Sequence, residues 1–231
     1  MDIVYEDNHL IVVVKPQNVP TQLDDSNDLD MLSMVKKYIK EKYNKPGNVY
    51  VGLVHRLDRP TGGLMVFAKT GKCASRLTEQ LQSGEMHKKY LAVVNGVVQN
   101  NSEKLVNYLK KNPKTNMVAV VPPLTTGAKL AELQYEVLER KEKVSLVSVD
   151  LFTGRSHQIR VQMKHIGHPV YGDVRYGGDI LAKGHNLALW AYELSFNHPI
   201  TKQKMTFKSC PPNITPWSSF DVQRLTRMNT I

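Results

Sequence analysis

Four of the five residues in Leu10-Ile11-Val12-Val13-Val14 are β-branched, and Lys15-Pro16 follows them at once. Such side chains pack well on a pleated surface and are stiff in a helix. Proline adds no N–H to a ladder. The run therefore predicts a strand over residues 10–15 that ends in a Lys15-Pro16 turn. It is also far short of the ~20 apolar residues that cross a bilayer. The start, Met-Asp-Ile-Val-Tyr-Glu-Asp, lacks the basic and apolar regions of a secretory signal. The expectation is a cytoplasmic protein with no membrane attachment.

Beyond this strand the pattern mixes helix and strand periods. Leu32, Val35, Ile39 and Tyr43 fall at helical spacing, with Asp28 or Asp30 as cap and Lys36, Lys37 and Lys40 on the remaining positions. Strand-like runs over 50–54 and 63–69 flank the polar stretch 55–62. Thr70 can cap a helix whose face is Ala74, Leu77 and Leu81 and which stops at Gly84. A strand is expected over 88–98, a β-rich stretch over 115–151, a helix over about 155–166 closed by Gly167, and strands over 187–196 and 204–208. Residues 218–231 read as a short helix or a frayed tail. No Ser- or Gly-rich linker divides the chain and no repeat recurs, so a single α+β domain over 1–231 is expected.

Two cysteines, Cys73 and Cys210, cannot make a disulfide framework or a cysteine-rich zinc site, and both read as reduced bystanders. Lys and Arg total 31 against 21 Asp and Glu, a formal charge of +10 that favours a polyanionic partner.

Two stretches crowd polar groups where chemistry could sit. His55-Arg56-Leu57-Asp58 precedes Thr61 and the permissive Gly62-Gly63 pair; the alternative is a solvated turn with a surface Arg–Asp pair. Thr153-Gly154-Arg155-Ser156-His157-Gln158-Ile159-Arg160 opens a helix after a strand, a place that favours anions. Arg160 suits a buried carboxylate because a guanidinium offers fixed bidentate donors, although a plain exposed arginine fits the spacing equally. His157, His165 and His168 lie in no H-E-x-x-H pattern, so no metal is expected.

Taken in order, these segments resemble the RluA-type family of pseudouridine synthases. The resemblance runs from Val4-Tyr5-Glu6-Asp7 through His55-Arg56-Leu57-Asp58, His87-Lys88-Lys89-Tyr90 and Thr153–Val161 to Gly167-His168-Pro169, Gly172-Asp173 and Phe196-Asn197-His198-Pro199. It implies an α+β pseudouridine synthase fold: a mixed, largely antiparallel sheet with flanking helices and a central RNA-binding cleft. It also implies isomerisation of uridine in structured tRNA or rRNA, with no cofactor, no obligate protein partner and a monomeric state. Asp58 looks like the essential aspartate, Tyr90 like the active-site tyrosine, and Arg160 like the arginine paired with that aspartate. His55, Arg56, Arg59, Lys89, Arg155, His157 and Gln158 are the expected substrate-binding residues, with Lys88 and the lysines at 36, 37 and 40 as further phosphate contacts. The target base should be flipped out of its stack.

Two departures stand out. Many members read Asp-x-x-Thr-Ser-Gly where this chain has Asp58-Arg59-Pro60-Thr61-Gly62-Gly63, and Leu-His-Ala where it has Leu189-Trp190-Ala191. The competing reading is a non-catalytic RNA-binding or RNA-folding factor, which has no chemical need for Asp58, Tyr90 and Arg160 together. A metal-dependent nuclease would need a carboxylate cluster for magnesium, and none is visible.

Overall fold

The computed structural model describes residues 1–177 and 184–227, so the last four residues of the expected tail lie outside it. In chain order the elements begin with β1 (Asp2–Glu6), β2 (Leu10–Lys15), α1 (Met31–Lys42), β3 (Gly52–Leu53), β4 (Gly62–Ala68), α2 (Gly71–Ser83) and β5 (His87–Asn95). They continue with β6 (Ser102–Lys111), β7 (Val118–Val121), β8 (Lys129–Arg140), β9 (Val144–Leu151), α3 (Gln158–His165), β10 (Leu189–Asn197), β11 (Lys204–Lys208) and α4 (Arg224–Arg227). A 3-10 turn covers Trp217–Ser219. Two compact units result, one from Met1–His87 with Ala191–Ser209 and one from Lys88–Trp190 with Cys210–Ile231.

In the first unit β2 pairs antiparallel with β1 and β4, β3 with β4, and β10 with β11. Leu10, Val12, Leu64, Val66, Leu77, Leu194 and Phe196 share one apolar cluster. At α1 the side chain of Asp30 accepts from the Ser33 amide, and the buried face is Met31, Val35 and Ile39 rather than the expected 32/35/39/43 set. Tyr43 leaves that set because its hydroxyl donates to Glu6. At α2 Thr70 and Gly84 act as expected; of the expected face Leu77 is buried while Ala74 and Leu81 are partly buried, and the other buried residues are Cys73 and Gln80. That side chain both donates to the Asn197 carbonyl and accepts from the Asn197 amide, which satisfies its polar atoms away from water.

Gly63, at the start of β4, has φ +118, and a Cβ there would lie 2.3 Å from the Ala191 carbonyl oxygen and 2.5 Å from its nitrogen. Only glycine lets the strand after the Asp58 loop approach β10 this closely. On the outer side of this unit, Glu6 accepts hydrogen bonds from Tyr38, Lys42, Tyr43 and Lys69, tying β1 to α1 and to the residue after β4.

In the second unit β5 pairs with β9, β9 with β8, β8 with β6 and β6 with β7, all antiparallel. The sequence reading begins its β-rich stretch at 115 and so passes over β6. Only Leu105 and Leu109 of that strand are buried apolar residues. Between them Asn107 accepts from the Gln162 amide, which puts a polar residue in the apolar alternation. α3 differs too: in place of one apolar face, every residue from Gln158 to Met163 is buried, because Gln158, Arg160 and Gln162 find partners inside. Neither Cys73 nor Cys210 is in a disulfide among the described residues, and burial pushes the Cys73 thiol pKa up to about 12. Among the described residues no helix is long and apolar enough to cross a membrane.

Two outcomes follow for stability. Gly63→Ala should destabilise by more than about 3 kcal/mol, since backbone rather than a side-chain tip stands in the way. Denaturant unfolding within 1 kcal/mol of wild type, on the order of an ordinary surface change, would show that β4 and β10 can part without loss. For Glu6, burial favours the protonated form, but hydrogen bonds from Lys42, Lys69, Tyr43 and Tyr38 outweigh it and hold the pKa at about 2. A carboxylate depressed below its ordinary 4.5 contributes stability above that pH and loses it as the pH falls towards about 2. Glu6→Gln should therefore cost about 1–2 kcal/mol at neutral pH, with the gap to wild type closing across that acid window. Urea unfolding at a series of pH values checks this, and a gap independent of pH contradicts it.

Candidate active site

The loop over residues 54–61 is held at almost every position. Val54, His55 and Leu57 are buried, Asp58 is half-buried and Arg56 is exposed. The Nε2 of His55 accepts from the Val66 amide at 3.2 Å, which anchors the loop to β4. Thr21 Oγ1 donates to the Leu57 carbonyl at 2.8 Å and accepts from the Leu57 amide at 3.3 Å, fixing the residue before Asp58. The Asp58 carbonyl accepts from the Thr61 amide at 2.9 Å and closes the turn. Gln17 Nε2 reaches the Pro60 carbonyl at 3.3 Å.

The residue after the aspartate is held by Lys15. Its ammonium is fully buried and donates to the carbonyls of Pro16, Val19 and Arg59 at 2.9, 2.6 and 2.9 Å. Burial pushes the Lys15 pKa down to about 7, and the nearby Asp58 carboxylate works against that by favouring the charged form. Three carbonyl acceptors require all three N–H donors of the ammonium. A buried cation thus organises the loop and supplies a positive charge within its own unit for Asp58. Sequence reasoning missed Lys15, Thr21 and Gln17 as parts of the site. The available signal was the lysine closing an otherwise apolar strand.

In the second unit the turn Thr153–His157 leads into α3. The buried Gln158 braces it: Oε1 accepts from Thr153 Oγ1 and from the Arg155 amide, while Nε2 donates to the Glu132 carbonyl. His157 has φ +53, and its Nδ1 lies 2.6 Å from the Tyr176 hydroxyl. That hydroxyl also accepts from the Val118 amide. Arg160 is buried, and its Nε and Nη2 each lie 2.7 Å from an oxygen of Asp173. Asp173 accepts further from the Arg175 and Tyr176 amides, and the guanidinium stands over the Tyr176 ring. The carboxylate described on Arg160 is therefore Asp173, a residue that sequence reasoning quoted in a motif without giving it a role. Gly172 before it has φ +75, and a Cβ there would lie 2.3 Å from the Asn186 carbonyl oxygen.

Residues 9–165, spanning the Asp58 loop, Tyr90 and Arg160, match the model of the RNA pseudouridylate synthase family. The chain belongs to this family. Among its curated relatives are ribosomal large subunit pseudouridine synthases D of Pseudomonas aeruginosa, 34% identical over 94% of this chain, and of Neisseria meningitidis, 36% identical over 92%. The chain spans 70% and 59% of the lengths of those two proteins. The fold is shared with the human RNA Pseudouridylate Synthase Domain Containing 4, at a TM-score of 0.76, 22% identity and coverage of 91% of this chain and 88% of that one.

The remaining residues singled out from the sequence of this synthase-family chain fall as follows. Tyr90 is buried on β5 opposite Val149. Lys89 lies 3.6 Å from Asp150 in an ion pair. Arg155 Nε donates to the Leu130 carbonyl. Arg59 is exposed and tied to the acidic loop before α1: it pairs with Asp28 and Asp24 and donates to Ser26 Oγ and to the Asn18 carbonyl. Lys36, Lys37 and Lys40 are exposed along α1 and line one side of a shallow basic hollow with residues 47–49. Among the described residues, no group of three or more His, Cys, Asp or Glu is placed to hold a metal ion.

Lys15→Met keeps the stem's bulk but leaves three carbonyls without their donor. It should cost about 2–4 kcal/mol of stability and should lower turnover in protein that remains folded, because the Asp58 loop loses its clamp. Denaturant melts and a single-turnover assay check both. Wild-type values in the two measurements would show that the loop holds itself.

Proposed function

We propose that this chain isomerises uridine to pseudouridine in ribosomal RNA of the large subunit, with Asp58 as the catalytic carboxylate. The observation that carries the reading is the Asp58 loop, a half-buried aspartate between two residues whose backbone is clamped by buried Thr21 and Lys15. Catalysis needs a reacting group held in one geometry, and rigid support of this kind supplies it. The choice of RNA rests on the names of the bacterial relatives.

In the reaction the N1–C1′ bond breaks, the uracil turns, and a C5–C1′ bond forms. The proton on C5 leaves and N1 gains one, so no atom enters or departs overall. Asp58 serves either by attacking C1′ or by taking a proton from C2′, and both need the ionised carboxylate. Tyr90 is assigned to stack on the uracil. A base must leave its stack to be reached, which is easiest in a loop or single strand.

A pseudouridine map of cellular RNA by carbodiimide adducts and primer extension tests the proposal. Deleting the gene should remove one or a few stops in large-subunit RNA. Wild type should restore them, while Asp58→Asn, nearly isosteric but lacking the carboxylate, should not. An unchanged map, or rescue by Asp58→Asn, would overturn it.

A further inference from the structure

Lys88 and Lys89 are neighbours on β5 with different surroundings. Side chains on a strand alternate between its faces, so Lys88 shares a face with Tyr90, about 7 Å along the chain, while Lys89 points the other way. Lys89 is paired with Asp150 and is 37% exposed. The Lys88 ammonium has neither a carboxylate nor a hydrogen-bond acceptor among the described residues. Its side chain is partly buried, and desolvation alone pushes its pKa down, with no anion acting the other way.

The Thr153–His157 turn passes next to this ammonium. Lys88 Nζ lies 3.5 Å from the point where a Cβ on Gly154 would stand, so the bare backbone there leaves the charge approachable. A cation withdrawn from water without a counterion is costly, and an arriving anion relieves that cost. Arg59 and Lys89 face carboxylates in the free protein, and Lys88 does not.

We propose that Lys88 is an RNA-binding residue that takes the phosphodiester beside the flipped uridine, while Lys89 stays with Asp150. The inference rests on the RNA-modifying reading above and on Tyr90 facing the uracil, since the sugar between a base and its phosphate is comparable in length to the Lys88–Tyr90 step. It fixes the register in which the strand enters: phosphate over the Gly154 turn, base towards Tyr90.

The test uses the full chain and a uridine-rich stem-loop RNA, with affinity measured from low to high salt. Lys88→Met should weaken binding about tenfold or more and make the slope of log affinity against log salt shallower by about 0.7, the contribution of one phosphate on a single strand. Lys88→Arg should keep most of both, and Lys141→Met, which removes a lysine paired with Glu139, should leave both near wild type. Single methylphosphonates scanned through the loop should reveal one linkage whose neutralisation costs wild type as much as Lys88→Met does. That linkage should cost the Lys88→Met protein nothing more. Equal slopes for wild type and Lys88→Met, or additive losses at every linkage, would overturn the inference. These are binding readouts, so they decide it separately from turnover: a wild type that binds but isomerises no uridine refutes the catalytic reading instead. Circular dichroism confirms that Lys88→Met is folded, and Lys88→Gln, which keeps a polar tip but removes the charge, takes its place in the same measurements if it is not.

Discussion

The ammonium of Lys15 is the point around which the first unit's functional loop is built. An unpaired lysine in an apolar core would be expelled or neutralised. Here three backbone carbonyls receive its protons, and one belongs to the residue after Asp58. The same contacts that make the burial tolerable fix the turn after β2 and the loop before β4 in one arrangement. Thr21 does the same for the residue before the aspartate with a single hydroxyl acting as both donor and acceptor. The carboxylate is thus carried on a rigid segment although it lies in a loop.

The second unit solves a similar problem with a different pair. Arg160 and Asp173 are both buried, and such a pair is favourable only when the remaining donors and acceptors are also met. Asp173 completes itself with two backbone amides, and the guanidinium gains the Tyr176 ring. Tyr176 in turn orients His157 at the entry to α3. One connected network therefore sets the Thr153–His157 turn, the start of α3 and the segment after Gly172. A change in any member would be felt by the others, as expected of coupled polar groups.

Charge placement separates residues that hold the fold from those that can meet RNA. Much of the +10 excess lies on exposed lysines such as those along α1, which are attracted to any polyanion. Arg59, Lys89 and the Glu6 cluster instead face carboxylates within the protein. Lys88 belongs to neither group, being withdrawn from solvent without a carboxylate beside it.

Local patterns in the sequence determined most of the elements. The β-branched run gives β2, the Thr70 and Gly84 signals bound α2, and the Asp58 and Arg160 motifs are visible as residues because their spacing is local. Strand β6 escaped notice because Asn107 occupies an inward position, and its partner Gln162 is 55 residues away. The all-round burial of α3 was hidden for the same reason, since a glutamine or arginine reads as a surface residue until its partner is known. Tertiary structure alone decided that Lys15 clamps the Asp58 loop, that Asp173 takes the Arg160 fork, and that Lys88 and Lys89 have different surroundings. Hydrophobic periodicity is written along the chain, whereas the satisfaction of a buried polar group depends on which distant carbonyl or carboxylate the fold brings to it.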